Sequence, residues 1–173
     1  MFKKVNFFAT LVTSLAGGVL FSVPVFFFIR DNAYTESWLL YLGSFLFLTV
    51  IWIHTVRENK KRREDESTVA LIFISHVATI AGIIISCIIC FLLLVTMVPG
   101  YLDSGMADKV LTGEPANTIK DKTDGLSFDI FFAATVINFA VGSFAGIILP
   151  FYTKRTQTKD SKEPTPLHQY GVK

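Results

Sequence analysis

"VALIFISHVATIAGIIISCIICFLLLVTMV", residues 69–98, contains no Asp, Glu, Lys or Arg. About 20 predominantly apolar residues in a helix cross the hydrocarbon core of a bilayer. This run is therefore a candidate span, and residues 7–29, 37–56 and 128–152 are three more. The composition agrees: 51% of the chain is hydrophobic, with 17 phenylalanines and a mean hydropathy of +0.51. The expected fold class is an all-α membrane protein, with four transmembrane helices in an up-down-up-down bundle. Residues 1–152 form the four-span domain, 99–127 its outer loop and 153–173 a disordered tail, which leaves no room for a separate soluble domain. The first run is too long for the apolar core of a signal peptide and lacks an A-x-A cleavage site, so it is expected to remain as a span.

Orientation follows from charge. "RENKKRREDE", residues 57–66, lies between the second and third runs. Five bases in so short a run resemble a nucleic-acid patch, but between two spans they mark a cytoplasmic loop. With the N-terminus, residues 57–68 and the tail placed on one side, that side holds 12 Lys/Arg; the other side holds Arg30, Lys109, Lys120 and Lys122. Both termini are accordingly expected in the cytoplasm. Glu64, Asp65 and Glu66 precede the third span, where they favour the positive end of its dipole, and Ser67 or Thr68 is placed to cap it. The mixed signs of the block weaken its attraction for anionic lipid. Trp38, Tyr41, Trp52, Tyr101 and Tyr152 lie near span ends, as amphipathic rings prefer.

The connection at 30–36 is short, so the first two spans are expected to be antiparallel neighbours, as are the second and third across the basic hinge. In the outer loop Leu102, Met106 and Val110 recur at helical spacing, predicting a short surface helix that serves as a connector. The tail is polar, carries two prolines and is expected to be disordered.

Within the membrane, small residues allow close helix contact. The third span carries Ala78, Gly82, Ser86 and Cys90 at a spacing of four; the fourth carries Ala134, Asn138, Gly142 and Gly146. These ridges predict that the two spans pack on each other, with the Asn138 amide bonded near Ser86. Self-association through the same ridges is the alternative. Gly17, Gly18 and Ser22 give the first span small residues too, and Pro24 is expected to kink it.

The span interiors lack Asp, Glu, Lys and Arg, since Asp129 lies at the outer end of the fourth. Intramembrane carboxylates mark proton relays and coupled transport, so a proton antiporter is not expected. No H-E-x-x-H, phosphate loop or nucleophile elbow is present. No enzyme, cofactor or metal site is expected. Cys87 and Cys90, in an apolar helix, read as packing residues. His54 and His76 remain as functional candidates. They lie at equal depth on neighbouring spans, as axial haem ligands would, provided that the rings converge. The structural expectation for His76 is a ring bonded to a backbone carbonyl or a hydroxyl.

This layout of four spans, a basic hinge after the second and a long outer loop before the fourth resembles that of uncharacterised bacterial inner-membrane families of unknown function. The resemblance covers the whole chain, implies a bacterial cytoplasmic membrane location and transfers no site. Tetraspanin-like and claudin-like proteins fit poorly, because their outer-loop cysteines are missing. The functional expectation is a structural or interaction component of the membrane. Its partners are the lipid bilayer and either itself or another membrane protein, with no nucleic acid. A small oligomeric channel or transporter subunit, and a haem- or quinone-binding redox subunit using His54 and His76, are the alternatives.

Overall fold

The computed structural model describes residues 7–30, 36–61, 68–98, 101–102 and 120–160, with only the helical backbone in 120–125 and 153–160. Helix α1 spans Phe7–Arg30, α2 Trp38–Lys61 and α3 Thr68–Met97. A composite fourth rod follows: α4, Lys120–Phe132; a π-helical turn, Ala133–Ile137; and α5, Asn138–Asp160. Among the described residues, four helical stretches are long and apolar enough to cross a membrane, the last being Leu126–Tyr152. This is the architecture of a multi-pass helical membrane protein. Lipid offers no hydrogen bonds, so a spanning segment must satisfy its backbone internally. Its hydroxyls follow suit: Ser22, Thr49, Ser86 and Thr96 each donate to the carbonyl one turn earlier, at 2.8–2.9 Å.

Two helix ends differ from expectation. The fourth rod begins at Lys120, inside the expected loop, and continues to Asp160, inside the expected disordered tail. Residues 153–160, TKRTQTKD, contain no Gly or Pro. A helix already nucleated in the membrane extends through such residues at little cost. The expected surface helix at 102–110 falls outside the described residues apart from Leu102, which lies in a turn. Pro24 lies within α1, which continues as helix to Arg30.

In cross-section α1 packs on α2 and α3, and the fourth rod also packs on α2 and α3. The helices α2 and α3, joined by the basic hinge, therefore face each other across a diagonal and meet at few points. They are not the side-by-side neighbours that the short basic hinge predicts. The reason is Phe47. Its ring is wholly buried and lies between Gly17 of α1 and Gly82 of α3; a β-carbon at Gly82 would lie 2.8 Å from Phe47 Cε2. The ring holds α2 away from α3, while α1 fits closely against both. Phe21, Val25, Phe28, Ile51, Leu94 and Ile130 complete the buried core. Leu11, Phe45, Ile84, Phe91 and Phe144 are exposed and cover the outside with apolar surface.

Candidate functional site

The polar groups of the interior concentrate where α1 begins, α2 ends and α3 begins. Interhelical bonds tie these segments together. Ser14 Oγ donates to the Ala78 carbonyl at 2.9 Å and also to the Thr10 carbonyl at 2.9 Å. Thr55 Oγ1 gives its proton to the Ile51 carbonyl, so at the 2.8 Å contact between Thr55 and Ser75 it is the Ser75 hydroxyl that donates. Thr13 likewise donates to the Ala9 carbonyl, so it accepts from His54 Nδ1–H at 3.1 Å. A Thr13 proton committed to its own helix favours the His54 tautomer that carries hydrogen on Nδ1. Glu58 and Asn59 are buried at the same end of α2.

His76 donates Nδ1–H to the Ile72 carbonyl at 2.9 Å, and its ring meets Phe139 of α5 edge-on, with centroids 6.4 Å apart. His54 instead reaches α1. The two histidines share a depth but face different helices, so the paired-ligand arrangement is not formed. Among the described residues, no cluster of three or more His, Cys, Asp or Glu is placed to hold a metal.

The small ridges are also divided differently. Ala78 and Gly82 face α1: the Ala78 carbonyl accepts from Ser14, and a β-carbon at Gly18 would lie 3.2 Å from the Gly82 carbonyl. Ser86 donates to the Gly82 carbonyl, and Cys90 is wholly buried. Gly142 faces Thr79, whose Oγ1 would lie 2.7 Å from a β-carbon there, and Gly146 faces Ser75 Oγ at 2.9 Å. The fourth rod therefore packs on the Ser75–Thr79 face of α3, not on the Ala78–Gly82–Ser86 ridge. Asn138 is wholly buried, and neither Oδ1 nor Nδ2 has a hydrogen-bond partner. The expected bond near Ser86 is absent, since the ridge carrying Ser86 is turned to α1. Asn138 directly follows the π-turn, where its backbone N–H bonds the Ala133 carbonyl five residues back.

The sequence reading missed Ser14, Thr13, Thr55, Ser75 and Thr79. A signal was present: Ser14, Gly18 and Ser22 repeat at a spacing of four, matching Ala78, Gly82 and Ser86.

A groove of about 430 Å³ opens between the first half of α1 and the last half of α2. Its floor is apolar, with Phe8, Val12, Ala16 and Ile53; at one end lie His54, Arg57, Glu58 and Lys61. Lys61 Nζ and Glu58 Oε1 are 3.4 Å apart.

No protein-family model matches the chain, and no curated protein or solved structure matches it. The functional reading therefore rests on the molecule's own chemistry.

Proposed function

We propose that this chain is a non-enzymatic, interaction-type component of the bacterial cytoplasmic membrane. Its four spans run up-down-up-down with both termini inside. The observation carrying this reading is the filled axis. Phe21, Phe47, Ile51 and Leu94 are all wholly buried in the core, and such packing leaves no wetted path along the centre of one chain. A monomeric pore gains no support from it, and the diverging histidines give none to a two-ligand haem site. The orientation is supported by the 12-to-4 bias of basic residues, as cytoplasmic loops retain Lys and Arg. It places the polar layer and the groove in the inner leaflet.

Two measurements test the reading. Reconstituted protein should give no ion or solute flux above empty liposomes, and the purified chain should show no visible absorbance; a sustained flux or a Soret band would overturn the assignment. A Thr112→Cys probe should react with an impermeant thiol reagent only from outside the cell. Labelling from the cytoplasm alone would invert the topology.

A further inference from the structure

We propose that the groove between α1 and α2 is a specific site for one anionic phospholipid, with its phosphate at Arg57 and Lys61 and an acyl chain along the apolar floor. Three features of the groove point to this ligand. The first is its length. From Phe8 to Ala16 the α1 wall rises about 12 Å, and from Val50 to Lys61 the α2 wall rises about 16 Å. One leaflet of the hydrocarbon core is about 15 Å deep, so the groove matches the depth of one leaflet.

The second feature is polarity. The floor is apolar through Phe8, Val12, Ala16 and Ile53, and the bases are confined to one end. That gradient is the profile of a phospholipid. Inorganic phosphate would need the bases and leave the floor unexplained.

The third is charge. The mouth holds two bases to one acid. Lys61 lies 3.4 Å from Glu58, longer than the roughly 2.7–2.9 Å of a well-formed charge-assisted bond. Arg57 is exposed and makes no ion pair among the described residues. Its guanidinium fork suits two phosphate oxygens at once, and basic pockets between helices on the cytoplasmic side favour anionic head groups. A second copy of this chain, docked through the same groove by two-fold symmetry, would face Arg57 and Lys61 with like charge. The site rests on the orientation proposed above but not on the interaction role, and lipid retention tests it separately from topology.

The test is native mass spectrometry of the full chain released from detergent. The chain is titrated with phosphatidylglycerol or with phosphatidylcholine of the same acyl chains. The wild type should retain one phosphatidylglycerol, preferred by at least about tenfold. Arg57→Gln should reduce that retention about fivefold and leave phosphatidylcholine unchanged, while Arg57→Lys restores most of it. Ala16→Phe, at an exposed position on the floor, should reduce retention of both lipids. Inorganic phosphate should not displace the lipid. Both positions are outside the core; if Ala16→Phe nevertheless loses its helical circular dichroism, Arg57→Gln decides alone. Equal retention of the two lipids by the wild type, phosphatidylglycerol retention unaltered by Arg57→Gln, or a lipid-free dimer that Ala16→Phe dissociates would each overturn the assignment.

Discussion

Helix α3 has two working faces, and they solve the same problem differently. Toward α1, Ala78 and Gly82 meet Ser14 and Gly18, and the Ser14 hydroxyl shares its proton between the Thr10 and Ala78 carbonyls. Toward the fourth rod, Ser75 and Thr79 meet Gly146 and Gly142, and one turn before Gly142 the Asn138 amide is buried with no partner. The difference lies in the side chains. A hydroxyl on a helix has a carbonyl four residues back within reach, so it enters an apolar interior at little cost. A carboxamide has two donors and an acceptor oxygen with two lone pairs, more than the carbonyl of its own turn can satisfy. The α1 face is thus locally self-sufficient, while the fourth rod carries an unresolved polar group beside a π-turn, a feature frequent at functional sites.

The comparison breaks most readily at its glycines. Gly142→Ala would drive a β-carbon into the Thr79 side chain, closest to Cγ2 and with Oγ1 at 2.7 Å. Thr79 is wholly buried and bonded to the Ser75 carbonyl at 3.0 Å, so it cannot turn away. At Gly18 a β-carbon would meet Ile85 Cγ2 at 2.7 Å, Ile85 Cβ at 3.0 Å and the Gly82 carbonyl at 3.2 Å; Ile85 is half-buried, so it yields more readily than Thr79, but the carbonyl does not. Overpacking costs about 1–3 kcal/mol. Gly142→Ala should fall at the top of that range and Gly18→Ala near its middle, measured by reversible unfolding in mixed micelles. Equal losses would mean that the two faces of α3 are equally rigid.

The next effect has the opposite sign. Asn138→Leu removes an amide whose burial without a partner costs about 1–3 kcal/mol, and the same assay should show the variant to be as stable as the wild type or more so. A loss above about 1 kcal/mol would show that the amide has a partner, such as a buried water.

These contrasts define what the sequence made legible. The four spans were readable because lipid forces long uncharged helices. The Gly142–Gly146 ridge was readable as a packing face because a GxxxG pattern is simple. Its neighbour was not. The ridge of α3 chosen as partner was the more obvious one, and proximity in the chain favoured α3 and the fourth rod sharing it. The true match, Ser14 and Gly18 on Ala78 and Gly82, joins helices separated by α2. The diagonal placement of α2 and α3 was also hidden, since it depends on which gap the Phe47 ring fills. The pair His54 and His76 illustrates the same limit: depth follows from counting residues, whereas facing depends on the rotation of each helix. The groove combined residues already identified as topology markers, and became visible only when α1 and α2 were set side by side.

The smallest effect sharpens the comparison from the α1 side. Ser14→Ala removes the hydroxyl that bridges α1 and α3. Its one proton is shared between the Thr10 and Ala78 carbonyls, both at 2.9 Å, so neither bond is at full strength. The helical fold still offers each carbonyl its own backbone donor four residues on, so no acceptor is orphaned by the change. Interhelical hydrogen bonds in membranes average about 0.6 kcal/mol, and the loss should be no larger. Thr96→Val is the matching control: Thr96 bonds only to its own helix and is exposed, so its removal should change stability by less than about 0.5 kcal/mol. A Ser14→Ala loss above about 2 kcal/mol would mean that this bond, rather than the glycine contacts, sets the position of α1 on α3, and the self-sufficient face would have to be reassigned as the critical one.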